Sequence, residues 1–164
     1  DLVTFAKGVT SGYAPLGGVL VSPRIWEPFY VDSAETPIFR HGVTYAGHAT
    51  ASAVALAHLD VLERDGLVAR VGELEAVLRQ QLDGLAARQA GVVDVRVAGL
   101  LGGVELAPEL DAVRVTDALV DLGFISRPLR GNTLQLSPPF IIADEELVSF
   151  VAAIEHAIIQ EGNR

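Results

Sequence analysis

Lys7 has the most distinctive chemistry of any residue in this sequence. It is the only lysine among twelve Lys and Arg residues, and it follows an apolar segment that contains Leu2, Val3 and Phe5. An ammonium group in apolar surroundings tends to lose its proton, and the neutral amine is a nucleophile. Such an amine forms a Schiff base with a carbonyl group, and Gly8 would leave space for a bulky aldehyde cofactor. The alternative is a lysine at a strand end with its charge in water.

Other residue patterns argue against several kinds of site. His41 and His48 have no third ligand at a spacing typical of zinc, so no metal site is expected. His48 is instead expected to make a structural hydrogen bond at the start of a helix. No serine lies in a nucleophile elbow, and "GYAPLGG" does not match a phosphate-binding P-loop.

Composition limits the class of protein. The chain has 164 residues, of which 50% are hydrophobic, so it has the length of one domain or of parts of two. The absence of cysteine excludes disulfides. A net charge of -9 without a basic cluster argues against a nucleic-acid partner. No apolar run is long enough to cross a bilayer, so we expect a soluble, cytoplasmic protein without a membrane partner. The lack of methionine, even at position 1, indicates a piece of a longer polypeptide.

The elements that must position these residues can be predicted from local patterns. "DLVTFAKG" is typical of a short buried strand that enters a turn, and "PLGGVLVSP" of a second strand. Residues 24–48 are predicted to be mostly loop. The alanine-rich segment Ala49–Arg64 favours a helix, which Asp65 and Gly66 would end.

The remaining sequence predicts a helix followed by a small α+β domain. The helix has one apolar stripe, formed by Leu67, Val71, Leu74, Leu78, Leu82 and Leu85. After it we predict two strands joined near Gly99, a helix over 111–122, a strand over 124–127, a strand at "TLQLS" and a last helix. This ββαββα order is typical of a compact α+β domain.

Four segments resemble one enzyme family, in the correct order along the chain. "DLVTFAKGVTSGYAPLGGVLVS" is similar to the cofactor-lysine segment of the class III aminotransferases, the ornithine and omega-amino-acid branch. "FRHGVTYAGHATASAVALAHLDVLERDGL" resembles the segment that follows it in that family. "VRVAGLLGGVEL" and "GFISRPLRGNTLQLSPPFIIADEEL" resemble its C-terminal domain.

The resemblance implies an α/β fold, the fold-type I architecture of pyridoxal-phosphate (PLP) transferases. The chain would contain the end of the large domain and a small α+β C-terminal domain. Residues 1–66 would belong to the large PLP-binding domain, 67–90 would form a connecting helix, and 91–164 would form the small domain. The missing N-terminal part of the polypeptide would supply the other half of the active site.

The resemblance also implies roles for particular residues. Lys7 matches the lysine that holds PLP as an internal aldimine and then acts as general acid and base. Thr44 matches the threonine that binds the cofactor phosphate across the dimer interface. Arg127 matches the arginine that pairs with a substrate carboxylate, a task that suits the guanidinium fork. Arg130 could compete for that role, but it is expected to be a solvated loop residue. Tyr13, Trp26 and Tyr45 are possible pocket residues.

The function implied is PLP-dependent transamination from an amine or amino-acid donor to a keto-acid acceptor, catalysed by a homodimer. The fragment alone is expected to be inactive. A racemase or aminomutase on the same fold is one alternative, and a non-catalytic dimerisation remnant is another. Ala143 departs from the family, which often has threonine there, and the change removes a helix-capping oxygen.

Overall fold

The computed structural model describes residues 1–163 of the chain, which divide into two compact units. The first unit is Asp1–Asp65, and the second begins at Gly66. The predicted site residues are distributed over both units, since Lys7 and Thr44 lie in the first and Arg127 lies in the second. Within residues 1–163, no helix combines the length and the apolar composition that a membrane span requires.

The first unit begins with two antiparallel strands, β1 (Leu2–Ala6) and β2 (Gly17–Val21). Their register pairs Leu2 with Val21 and Ala6 with Gly17. The ring of Phe5 lies over Gly18, where a Cβ atom would come within 2.5 Å of the ring carbon Cζ. Gly18 therefore gives the Phe5 ring its space on the neighbouring strand.

The two strands were correctly predicted, but the prediction that β1 is buried was wrong. All five residues of β1 are exposed, with Leu2 at 60% and Val3 at 58%. The physical reason is that β1 and β2 form a sheet of two strands, and the described residues cover neither face completely.

As predicted for residues 24–48, the segment 23–48 has little regular structure. They contain a short helix, α1 (Pro23–Trp26), and a 3-10 turn at Glu27–Phe29. Helix α2 (Ala49–Arg64) then has the predicted bounds. The predicted hydrogen bond of His48 is confirmed, because its Nδ1 atom accepts from the Ala51 N–H at 3.3 Å and caps α2.

The second unit is built on one long helix and a four-stranded antiparallel sheet. Helix α3 (Leu67–Arg88) is followed by β3 (Val92–Ala98), β4 (Leu101–Leu106), α4 (Ala112–Asp121), β5 (Arg127–Leu129), β6 (Thr133–Leu136) and α5 (Asp144–Gly162). The strand order in the sheet is β3-β4-β6-β5. The predicted ββαββα order is therefore confirmed.

The core of the second unit lies between the sheet and its helices. Four members of the predicted α3 stripe are fully buried, namely Leu74, Leu78, Leu82 and Leu85. The sheet contributes inward-facing side chains from β4 and β6, and α5 contributes the face predicted from its spacing. A Cβ atom at Gly102 would lie 3.3 Å from Leu136 Cβ and 3.6 Å from Leu78 and Leu82 side-chain carbons. Glycine at this position therefore lets α3 pack closely on the sheet.

The turn between β3 and β4 is tied to α3 by polar contacts. Glu75 accepts a hydrogen bond from the Gly99 N–H at 2.9 Å and another from Arg79 at 2.9 Å. Arg79 also donates to the Val97 carbonyl at 2.7 Å. The hydrogen bond from Arg79, followed by that from Gly99, lowers the pKa of Glu75 because both favour the carboxylate.

The bounds predicted for the strand over 124–127 were wrong, because β5 begins only at Arg127. Phe124 instead belongs to the turn that follows α4. Its N–H donates to the Leu119 carbonyl at 2.9 Å, and Gly123 has φ +85°. This bonding is the Schellman pattern of a helix C-terminus. The Phe124 ring stacks on Phe150 of α5, with 5.2 Å between centroids. Phe124 therefore packs against a core residue and not into the sheet.

Helix α5 begins with an incomplete cap. Glu146 Oε2 accepts from the Ala143 N–H at 2.9 Å, which is one half of a capping box. The other half needs a side-chain oxygen at position 143, and alanine has none. One N–H in the first turn of α5 therefore lacks the side-chain acceptor that serine or threonine would supply.

We predict that Ala143→Thr stabilises the second unit by about 1 kcal/mol, because the hydroxyl completes the capping box. The measurement is the midpoint of urea denaturation. Ala143→Val is the matched control, since valine has the shape of threonine without the oxygen. Equal midpoints for the threonine and valine variants would show that capping is not the cause.

Candidate active site

Lys7 begins a single 3-10 turn, Lys7–Thr10, which we call the lysine turn. Its backbone has φ +52°, a left-handed conformation that is uncommon for residues other than glycine. The turn is closed by hydrogen bonds from the Ser11 N–H to the Gly8 carbonyl and from the Gly12 N–H to the Lys7 carbonyl, both at 3.1 Å. The lysine is thus held on a defined turn that directly follows β1.

The expected apolar surroundings of Lys7 are absent from the described structure. The residue is exposed, and its amine has no hydrogen-bond or ion-pair partner among residues 1–163. A Cβ atom added at Gly8 would meet no atom within 4 Å, so the space next to the lysine is open. The sequence context of Lys7 is apolar, but neighbours in the chain are not neighbours around its amine. The exposed amine can therefore be reached by a ligand.

Helix α2 begins shortly after the segment that contains Thr44, and it packs against the lysine turn. Its buried residues are Ala51 and Ala55. Small side chains at these positions permit close approach of the two backbones. Thr44 lies in the turn that precedes α2, and it is exposed. Its hydroxyl is therefore close in sequence to a helix N-terminus, where backbone N–H groups favour anions.

Arg127 is placed by the β5–β6 pair of the second unit. It is the first residue of β5, it is paired with Gln135, and it is exposed. The preceding Ser126 donates its hydroxyl to the Gln135 carbonyl at 2.9 Å, which adds a bond at this end of the strand. Arg130 lies in the exposed turn between the strands, as expected. The guanidinium groups of Arg127 and Arg130 have no ion-pair partner among residues 1–163.

The three candidate aromatic residues do not form one cluster. Trp26 contributes to an apolar cavity of about 1040 Å³ in the first unit, together with residues such as Val19 and Phe29. Tyr13, Tyr45 and Lys7 do not line this cavity. Trp26 is in edge-to-face contact with Tyr30 at 5.5 Å, and the Tyr45 ring lies 5.9 Å from His48. The cavity is therefore separate from the lysine turn.

One residue of the lysine turn was missed by sequence reasoning. Thr10 is fully buried, although threonine in a glycine-rich turn is expected to be exposed. Its hydroxyl donates to the Ala14 carbonyl at 2.7 Å, four residues further along the chain. Only the spacing of three from Lys7 could have drawn attention to it, and that spacing alone says nothing about a hydrogen bond.

Curated relatives of this chain are aminotransferases. The chain is 35% identical over 170 residues to a diaminobutyrate–2-oxoglutarate transaminase of Halomonas elongata, covering 96% of the chain and 36% of the relative. It is 37% identical over 165 residues to a β-alanine–pyruvate aminotransferase of Pseudomonas aeruginosa, again covering 96% of the chain and 36% of the relative. The chain thus spans little more than a third of these proteins.

Solved structures and a family model give the same assignment. An amine transaminase from an uncultivated Pseudomonas species in a PLP-bound form has a TM-score of 0.91 and 35% identity, over 99% of this chain and 39% of that one. A transaminase from the marine bacterium Virgibacillus has a TM-score of 0.90 and 38% identity, over 99% and 40%. These neighbours confirm the α/β, fold-type I expectation. The model "Aminotransferase class-III" matches residues 1–158. The chain therefore belongs to the class III aminotransferases.

Proposed function

We propose that this chain is the C-terminal, lysine-bearing portion of a PLP-dependent aminotransferase. The enzyme would transfer an amino group from an amine or amino-acid donor to a keto-acid acceptor. The observation that carries the proposal is Lys7: in a class III sequence, the only lysine lies on an exposed turn with open space next to it.

The described residues fit this cofactor. Lys7 supplies a primary amine for the aldehyde, and Thr44 supplies a hydroxyl shortly before the N-terminus of α2 for the phosphate. Bound PLP would withdraw electrons from the substrate carbon that loses a proton. Neither Lys7 nor Thr44 has a side-chain partner among residues 1–163 that would compete with the ligand.

Lys7 would have two roles in the reaction. It would first hold the cofactor through its Nζ atom. Once substrate has freed it, the same amine would move a proton between the substrate α-carbon and the cofactor atom C4′. One group at one position can do both because it stays attached to the lysine turn throughout.

Thr44 and Arg127 would bind and orient two anionic groups, the phosphate of the cofactor and the carboxylate of the substrate. The Thr44 hydroxyl and N–H would donate to the phosphate, and Arg127 would pair with the substrate carboxylate through two parallel N–H groups. Arg127 lies on a strand, so its backbone is set by the sheet. We assign Arg130 to the solvated turn.

The complete polypeptide would include a further, N-terminal part. The support is that the relatives are far longer than the chain and that the apolar side chains of β1 and β2 are exposed. Residues 1–66 would then belong to the large domain, 67–90 would connect the domains, and 91–164 would form the small domain. A homodimer in the cytoplasm, with Thr44 acting across the dimer interface, is part of the same proposal.

Kinetic comparison of two arginine variants tests the substrate side of the proposal. In the complete polypeptide, we expect Arg127→Ala to raise KM for a keto acid about ten-fold or more, because a charge-assisted contact to the carboxylate is lost. An amine donor without a carboxylate should keep its KM. Arg130→Ala is the matched control and should behave as wild type.

The outcome that would contradict this assignment is an equal effect of Arg127→Ala on both substrates. Analysis of the products in the same assay separates transamination from racemisation or aminomutation. Amino transfer to the keto acid supports the proposal. Inversion of the amino acid or migration of its amino group, without a new amino acid from the acceptor, would contradict it.

A further inference from the structure

Thr10 is fully buried at the end of the lysine turn, although Lys7, Gly8 and Ser11 are exposed. We propose that Thr10 is a positioning residue for Lys7. The Thr10 hydroxyl holds the backbone conformation from which the lysine side chain projects. This inference rests on the proposed role of Lys7, which it deepens.

The Thr10 hydroxyl joins the two ends of the loop that contains the lysine turn. Its Oγ1 atom lies 2.7 Å from the Ala14 carbonyl oxygen and 3.3 Å from the Lys7 carbonyl oxygen. A hydroxyl has one proton, so the shorter distance identifies the Ala14 carbonyl as its main acceptor. The Ala14 N–H points back to Oγ1 at 3.5 Å. The Thr10 Oγ1 atom therefore lies within 3.5 Å of backbone atoms of both Lys7 and Ala14.

The conformation of Lys7 requires such support. A non-glycine residue with φ near +52° is strained, and it persists only where neighbouring contacts favour it. Ser11 has φ +52° and Gly12 has φ +78°, so three residues in this short loop have left-handed backbones. The hydrogen bond from the Gly12 N–H to the Lys7 carbonyl, at 3.1 Å, is the backbone part of that support. Thr10 supplies the side-chain part.

Burial makes the Thr10 bond effective. Water competes poorly for a hydroxyl that is 0% exposed, and α2 packs against the turn. If the hydroxyl is removed, the Ala14 carbonyl loses its donor and the contact with the Lys7 carbonyl is lost too. Lys7 can then relax toward negative φ, which redirects the bond from Cα to the side chain. The amine would leave the position from which it reacts.

The test compares three variants of the complete polypeptide after removal of cofactor. Thr10→Val keeps the shape and removes the hydroxyl, whereas Thr10→Ser keeps the hydroxyl. Thr116→Val is the matched control, because Thr116 is buried in α4 and its hydroxyl donates to the Val113 carbonyl at the same 2.7 Å. The readout is the rate at which added PLP bonds to Lys7, from absorbance and from mapping of the borohydride-reduced peptide, alongside the melting temperature.

We expect Thr10→Val to slow bond formation about ten-fold, and Thr10→Ser and Thr116→Val to react within about two-fold of wild type. A Thr10→Val protein that reacts as fast as wild type would overturn the proposal. The proposal would also be overturned if Thr116→Val had a melting temperature similar to that of Thr10→Val and reacted equally slowly. Both effects would then reflect a general loss of stability.

The serine variant keeps the proposal testable if Thr10→Val does not fold. Slow bonding of Lys7 in a folded Thr10→Ser protein would overturn the role of the hydroxyl. Failure of the proposed function gives a different result, because wild-type protein would then form no bond to PLP at Lys7. In that case the assignment of Thr10 falls with it.

Discussion

Lys7→Ala is expected to reduce transamination by about a thousand-fold or more, because in the proposed function one amine would act as both covalent anchor and proton carrier. The measurement is the rate of amino transfer by the complete polypeptide at saturating PLP. Since Lys7 is exposed and has no partner among the described residues, its removal should change the free energy of unfolding of the PLP-free protein by about 0.5 kcal/mol or less.

Lys7→Arg separates nucleophilicity from charge. Arginine keeps the positive charge and most of the length, but it is not deprotonated in proteins and cannot take either role. We expect it to be as inactive as the alanine variant. If either variant kept a tenth of the wild-type rate with an unchanged product, Lys7 would not be the catalytic base.

Asn132→Ala is expected to destabilise the second unit by about 3 kcal/mol. Asn132 has φ +57°, and its side chain is bonded to three residues of the stretch that leads from β4 into α4. Its Oδ1 accepts from the Ala112 N–H at 2.9 Å, and its Nδ2 donates to the Ala107 and Leu110 carbonyls, each at 2.9 Å. Alanine removes these bonds and keeps the cost of the left-handed backbone. The measurement is the urea-denaturation midpoint.

Two further variants divide that loss into its causes. Asn132→Gly also removes the side chain, but glycine adopts positive φ without strain, so it should be about 1 kcal/mol less harmful than alanine. Asn132→Asp keeps the acceptor for Ala112 but turns a carboxylate toward carbonyl oxygens. That contact would raise the pKa of the introduced carboxyl, so the aspartate variant should become less destabilised as the pH falls. A pH-independent loss would contradict this account.

The helices were predictable because their signals are local. The alanine-rich segment without glycine or proline gave α2 with its observed bounds, Ala49–Arg64. The stripe at spacings of three and four identified the buried face of α3, including Leu74 and Leu78. These signals depend on residues within one or two turns of each other, so no knowledge of the tertiary structure is needed.

The features that were missed depend on contacts between distant residues or on backbone conformation. Asn132 bonds to residues twenty or more positions away, and no periodicity signals this. The start of β5 depends on Phe124, which packs on Phe150 of α5. The exposure of β1 follows from which strands are present beside it, and strand composition does not report that. The buried hydroxyl of Thr10 likewise follows from the left-handed turn around it.

Lys7 is the residue that we propose bonds to PLP. The most direct measurement is borohydride reduction of the complete polypeptide with PLP, followed by digestion and mass spectrometry. Lys7 is the only lysine in these 164 residues, so one peptide reports the result. We predict a pyridoxyl adduct on Lys7 that is absent from Lys7→Ala. A folded protein that binds no PLP, or carries the adduct on another residue, would contradict the account.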